Sequence, residues 1–303
     1  MPDACPCGVG ARPRKEVPPR MSHYQRTTSP LALLVSLALA GLLAIAGAGF
    51  AAPALAATSG ATASSTSASA PSSFENTLFG WINRDRVARG LRPLRMDGRL
   101  NDLAGSRAAN LAAANMLSHQ VAGGNIGTTL SAWGMQWYRW GEAIGMTSYP
   151  YTTTAAGYLY GMWKHSAEHW ALLMSTSFNY VGVGVAYRSS NRTTWASIVL
   201  TESLDHTRPG ARMTGSGRSG TTIWFGWRGW DPLLQTHTAG LRNFDVLYRV
   251  DSGTWRLIRS GTTGRSISLA GRAHGHSYAV RVRSRDNRGN LSYWSSSLRV
   301  WVP

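Results

Sequence analysis

Only two cysteines (Cys5 and Cys7) and two lysines (Lys15 and Lys164) occur in this sequence of 303 residues. Both cysteines precede a long apolar stretch that reads as an export signal, so the exported part carries none. That excludes a disulfide framework and thiolate chemistry there, and leaves core packing to hold the fold. The scarcity of lysine means that the net charge of +17 is almost all arginine. With abundant alanine and glycine, this reads as the compositional bias of a high-GC gene. The arginines are spread along the chain rather than run together. That argues against specific nucleic-acid binding and leaves a general affinity for anionic surfaces such as cell-wall polymers or lipid head groups.

The stretch from Leu31 to Phe50 is uncharged and almost wholly apolar, with Arg20 and Arg26 before it and Ala54-Leu55-Ala56 after it. A basic segment, an apolar segment and an A-x-A site in that order make a secretory signal peptide, cleaved after Ala56. An uncleaved membrane anchor over residues 31–52 is the alternative, because about 20 apolar residues suffice to cross a bilayer. Met21 is the more usual start, so residues 1–20 read as an over-long N-terminus or as a long basic segment of the signal, within a signal region of residues 1–56. Residues 57–73 are nearly all Ala, Ser, Thr and Gly, a composition that cannot bury a core and serves as a spacer.

Helical periodicity begins at Phe74, with Leu78, Trp81, Ile82 and Val87 on one face and a stop at Gly90. Leu100, Leu103, Ala104 and Ala108 predict a second helix to about Asn115, and Tyr158, Leu159 and Met162 a third from about Thr154 to Lys164. Val181-Gly-Val-Gly-Val-Ala-Tyr187 and Trp195 to Thr201 predict two strands joined by a turn. Residues 207–220, rich in Gly, Ser and Arg, read as a linker. From residue 221 to 303 helix signals vanish, and short strands between turns predict a β-sandwich.

Within Met162–Met174 the run His165-Ser-Ala-Glu-His169 matches H-x-x-E-H, a zinc-peptidase signature. That chemistry needs both histidines on one helical face. Ser166 is a good N-cap and opens a fresh helix with Leu172, Leu173 and Met174 as its stripe, which leaves His165 on the preceding helix. The two rings then share no face, and the match reads as accidental.

A different assembly covers more of the chain. Ile82-Asn83, Arg86, Gly90-Leu91 and Pro93-Leu94 are followed by Leu100, Ala104, Arg107 and Ala108, and then by Ser118-His119. Next come Gly141-Glu-Ala-Ile144, Trp163-x-x-Ser166-x-x-His169 and Val181-Gly-Val-Gly184. In this order the pieces resemble the CAP superfamily, the relatives of cysteine-rich secretory proteins, over residues 74–206. Ala143 stands where the family usually has Asn. The resemblance implies an α-β-α sandwich with an open cleft lined by two histidines and two acids. His119, Glu142 and His169 match three of these positions, with His119 and His169 as possible ligands of a divalent metal such as zinc. Where eukaryotic relatives carry the second acid, this chain has Tyr160, Gly161 and Met162. Trp133, Trp137, Tyr138 and Trp140, just ahead of Glu142, read as packing for the cleft loop or as a rim for lipid or sugar.

Trp227, Asp231, Phe244–Tyr248, Trp255, Tyr278–Val282 and the Asp286-Asn-Arg-Gly-Asn290 turn resemble fibronectin type III-like modules. Trp227 and Tyr278 read as core, and Trp224 and Trp230 as exposed aromatics able to stack on sugar. The expected fold class is therefore α+β: a CAP-type α-β-α sandwich followed by an all-β immunoglobulin or fibronectin III-like sandwich. The expected function is a secreted binding protein without enzymatic activity. Its cleft takes a small apolar ligand such as a lipid, a metal ion, or a partner from the cell envelope. A metal-dependent hydrolase and an adhesin acting through the C-terminal sandwich are the alternatives.

Overall fold

The computed structural model describes residues 7–11 and 72–303, apart from residue 122. The signal, anchor and most of the spacer lie outside the described residues. Among those described, no helix is long and apolar enough to cross a membrane.

The first helix, α1 (Ser73–Ala88), begins in a capping box in which Ser72 and Glu75 satisfy each other's backbone N–H groups. Its end falls just before Gly90, whose φ of 73° suits only glycine without strain. The N-terminal motif residues are structural. Ile82 is fully buried, and the Asn83 amide both donates to Leu94 O (3.1 Å) and accepts from Leu94 N (2.8 Å). Arg86, also fully buried, donates to the carbonyls of Arg92, Leu173 and Ser175 and so ties α1 to the far end of the domain. Burial pulls its pKa down to about 10.

After β2 (Arg95–Met96) comes α2 (Gly98–Ala114), N-capped by Asp97, and then the short α3 (Ile126–Ala132). Strand β3 (Arg139–Thr147) leads to α4 (Thr153–His165) and α5 (Ala167–Leu173), followed by the hairpin β4 (Tyr180–Arg188) and β5 (Thr193–Glu202). With β1 (Cys7–Ala11), a single sheet runs β1-β3-β5-β4-β2. All its pairings are antiparallel except β2 with β4.

Every residue of β5 is buried, so both sheet faces are covered. Ala196, Ile198 and Leu200 pack with Leu78, Leu159 and Trp163 on the α1, α4 and α5 side. Val199 packs with Leu100, Leu103 and Leu130 on the α2 and α3 side. This is the expected α-β-α sandwich. The alternation in Val181-Gly-Val-Gly184 has a steric cause. The valines enter the first core, while a Cβ on Gly182 or Gly184 would overlap the backbone of α2 at Leu100 and Ala104. Among the described side chains, the core clusters draw on residues from Phe74 onward.

The expected linker is a correction. Within residues 207–220, Gly210–Ser219 forms strand β6, paired with β7 (Thr222–Trp230) except at a bulge between Met213 and Gly215. Its small residues are needed because the indoles of Trp230 and Trp224 lie across Gly210 and Gly217, where a Cβ would collide with the rings. The remaining strands are β8 (Leu241–Val250), β9 (Arg256–Thr262), β10 (Ser266–Leu269), β11 (His276–Asp286) and β12 (Leu298–Val302). They complete sheets of order β10-β7-β6 and β12-β11-β8-β9. Phe225, Trp227, Phe244, Val280 and Val282 fill the space between the sheets. Tyr278, 3% exposed, donates to the carbonyl of Ala273 five residues back, a tyrosine-corner arrangement. The result is the fibronectin III-like sandwich expected from the sequence.

The two domains share a hydrogen-bonded joint. Leu234, in the loop after β7, packs into the α2-side core of the first domain. Asp205 accepts from Tyr180 Oη, Thr207 N and Ala239 N, while its carbonyl accepts from Asn290 Nδ2.

Candidate functional site

Glu142 sits in the middle of β3 and is completely buried. A buried carboxylate must be paired. Arg107, projecting from α2 and equally buried, supplies the pairing in bidentate form, with Nε to Oε1 at 2.7 Å and Nη2 to Oε2 at 3.2 Å. The remaining guanidinium hydrogens hold the carbonyls of Gly124 (2.7 Å) and His119 (2.6 Å), which fixes the loop after α2. That loop carries the His119 ring, whose Nδ1 lies 2.5 Å from Glu142 Oε2. Ser197 Oγ approaches Oε1 at 3.5 Å. Both carboxylate oxygens are therefore engaged by groups that hold the loop and the imidazole.

His169 reaches the same region from α5. The helix break expected at Ser166 is present: α4 ends at His165 and α5 starts at Ala167. His165 is exposed, bonded to the carbonyl of Gly161, whereas His169 is only 1% exposed. The two rings of the H-x-x-E-H run thus share no face, and Glu168 is exposed. Instead of capping α5, Ser166 Oγ meets His169 Nδ1 at 2.7 Å. His169 Nε2 is buried with no hydrogen-bond partner. Burial first, and then the charge of nearby His119, lowers the pKa of His169 below 6.5 and keeps it neutral at physiological pH.

The position that carries an acid in eukaryotic relatives points elsewhere. Tyr160 is packed against α1, donating to Asp85 Oδ2 (2.9 Å) and Trp81 O (3.2 Å). Its pKa is raised chiefly by burial. The aromatic cluster before Glu142 serves packing: Trp140 is 9% exposed, Trp137 lies against the α2-side core, and Tyr138 stacks on His237 at 5.1 Å. Only Trp133 of the four is well exposed.

A resident divalent metal does not fit these donors. His119 and His169 offer two imidazole nitrogens, while a zinc site takes at least three protein ligands. Glu142 cannot add a third without giving up Arg107. Among the described residues, the one trio of metal-ligating side chains with all ligand atoms within 4.8 Å is Asp205, Asp231 and Asp286, at the domain joint. Each of those accepts backbone N–H groups from the surrounding turns, which accounts for their convergence.

The sequence reading missed a second histidine–carboxylate pair at that joint. His206 Nε2 lies 2.5 Å from Asp97 Oδ2, and its ring stacks on Tyr180 with centroids 3.9 Å apart. Both line an open cleft of about 560 Å³ shared by the two domains, together with Arg99, Arg288 and Asn290. Nothing in local spacing announces it, because the partners are 109 residues apart. Arg107 was legible as a motif residue, but its bond to Glu142 was not.

The fold agrees with the comparisons. The family described as CAP, cysteine-rich secretory protein family, matches residues 79–200. The chain carries a CAP domain over those residues. Among solved structures, it is similar to an extracellular protein containing an SCP domain from Bacillus anthracis, with 21% identity and a TM-score of 0.37 over 43% of this chain and 40% of that one. A cysteine-rich secretory protein from Staphylococcus aureus is 17% identical with a TM-score of 0.35, over 43% of this chain and 38% of that one. The chain thus spans well under half the length of either. An Fn3-like protein from Clostridium thermocellum is 20% identical with a TM-score of 0.24, over 32% of this chain and 96% of that one. No curated protein matches the sequence.

Proposed function

We propose that this is an exported binding protein, without enzymatic activity, whose CAP cleft takes a ligand beside His119 and His169. The signal-like N-terminus supports export, and the similar Bacillus anthracis protein is described as extracellular. One observation carries the binding reading: His169 Nε2 is buried and unpartnered, whereas the buried carboxylate of Glu142 is committed to Arg107. A buried polar atom without a protein partner calls for one from outside the chain, and a ligand group in the cleft supplies it. A hydrolase would need Glu142 free to accept a proton, and both its oxygens are occupied. The ligand classes are a small apolar molecule such as a lipid, or a segment of a cell-envelope partner.

The test follows the His119 and His169 imidazole signals by NMR while single-chain lipids and short peptides are added to the chain from Ala57 onward. Saturable shifts, lost in His169→Ala, are expected. Peptide or ester hydrolysis that depends on zinc and Glu142 would overturn the reading in favour of a hydrolase. An adhesive role for the sandwich has its own support in Trp224, Trp230 and Trp301, each about half exposed (45%, 47% and 54%). A fragment testing it must begin ahead of Gly210, because β6 belongs to the sandwich. Binding of cell-wall material by residues 208–303 alone would assign adhesion there.

A further inference from the structure

The two edges of the CAP sheet differ in kind. At one end β2 is two residues long, too short to recruit another strand. At the other, outside which only the five-residue β1 pairs, lies β3, nine residues in unbroken register with β5 from Arg139↔Glu202 to Thr147↔Thr194. It has no bulge, proline or lysine, and its one exposed charge is Arg139 at the very start. Native sheet edges usually carry such protections, and an edge without them invites a further strand.

The chain itself shows what fits. Cys7–Ala11 pairs antiparallel with the first half of β3, Gly8 opposite Glu142 and Gly10 opposite Trp140. A Cβ on Gly10 would overlap the Trp140 indole. One on Gly8 would stand 3.2 Å from Trp140 Cζ3 and 3.3 Å from His119 Nδ1, tighter than ordinary packing. The indole is held from behind by α3, where a Cβ on Gly127 would overlap it too, so it cannot retreat. The strand therefore lies along the edge and against His119, and the surface beneath it accepts glycine at two positions two apart.

We infer that the outer edge of β3 is a docking site for an extended peptide with the pattern Gly-x-Gly, added as a strand beside His119. This rests on reading the cleft as a binding site and names its ligand class. In the unprocessed chain, the edge is filled by residues 7–11. Cleavage after Ala56 removes that strand and uncovers Trp140 and the β3 backbone. Backbone hydrogen bonds supply attachment, and the flat Trp140 face rejects side chains at alternate positions.

The test uses the chain from Ala57 to Pro303 and the full chain. The probe is a labelled ten-residue peptide of residues 4–13 with serine for both cysteines, and its counterpart carrying Gly8→Val and Gly10→Val. Fluorescence anisotropy should show saturable binding of the glycine peptide to the shortened chain, and at least tenfold weaker binding of the valine peptide. The full chain should bind the glycine peptide at least tenfold more weakly, and Gly10→Val within the full chain should restore binding. Equal binding of the two peptides, or none of the first, would overturn the proposal. Glycine-dependent binding that leaves the His119 and His169 signals unmoved would uphold the edge and overturn the cleft reading. Absence of peptide binding, with a lipid shifting those signals, would overturn the edge alone.

Discussion

His119–Glu142 and His206–Asp97 are two histidine–carboxylate pairs with the same 2.5 Å separation and opposite surroundings. The first lies inside the CAP domain, where Arg107 doubles the pairing and the Glu142 carboxylate is fully buried. The second lies at the domain joint with the His206 side chain 47% exposed. The contrast teaches that contact distance alone does not set what a pair is worth. Burial makes the first indispensable, because any member left alone is an uncompensated charge or polar group. Solvent competes for the second, and its net contribution is that of a surface ion pair.

The largest effect expected from breaking this contrast is at Arg107. Arg107→Ala leaves Glu142 buried without its cation and frees the loop carbonyls of His119 and Gly124. A loss of about 3–5 kcal/mol in urea unfolding is the expected outcome. Asp97 comes next, because it also caps α2 by accepting from Leu100 N at 3.0 Å. Asp97→Ala should cost about 1 kcal/mol through the lost cap, while Asp97→Asn, which keeps a capping oxygen, should cost only a few tenths. Removing the joint histidine, His206→Gln, should change stability by less than about 1 kcal/mol.

Two histidines, His169 in the cleft and His206 at the joint, respond to pH in opposite directions. Burial lowers the pKa of His169, so the folded chain binds that proton less readily than the unfolded one. Its contribution is complete above 6.5 and is lost as pH falls below that value. At His206 burial works against the proton, but the Asp97 carboxylate outweighs it and the pKa is raised. That contribution is complete below 6.5 and is lost as pH rises through the folded value. Melting curves should therefore show wild type and His206→Gln converging at alkaline pH. Wild type and His169→Gln should differ in how steeply they lose stability in mild acid.

What could be read from the sequence follows the same division between local and long-range causes. The α1 boundaries, the Ser166 break and the Val-Gly alternation of β4 are written in neighbouring residues, and all are present. The two domain folds followed from motif order. Strand β3 left no alternating pattern because both of its faces are buried, so Trp140-Gly-Glu-Ala-Ile144 read only as a motif. Strand β6 read as linker because its glycines make room for tryptophans that come later in the chain. His119, Glu142 and His169 were legible as candidates. Their roles depended on Arg107 and Ser166 and on which atoms those residues satisfy, which is a matter of three-dimensional distance. His206 and Asp97 were invisible for the same reason.

The account turns on Glu142 as the anchor of the cleft rather than its reactive group, and the thermal stability of Glu142→Gln tests that most directly. The substitution keeps the shape and removes the charge facing Arg107. A fall in Tm of about 10 °C is predicted, from roughly 3–5 kcal/mol at 2–4 °C per kcal/mol for a protein of this size. An unchanged or raised Tm, the sign left by a carboxylate kept for catalysis at the expense of stability, would contradict it.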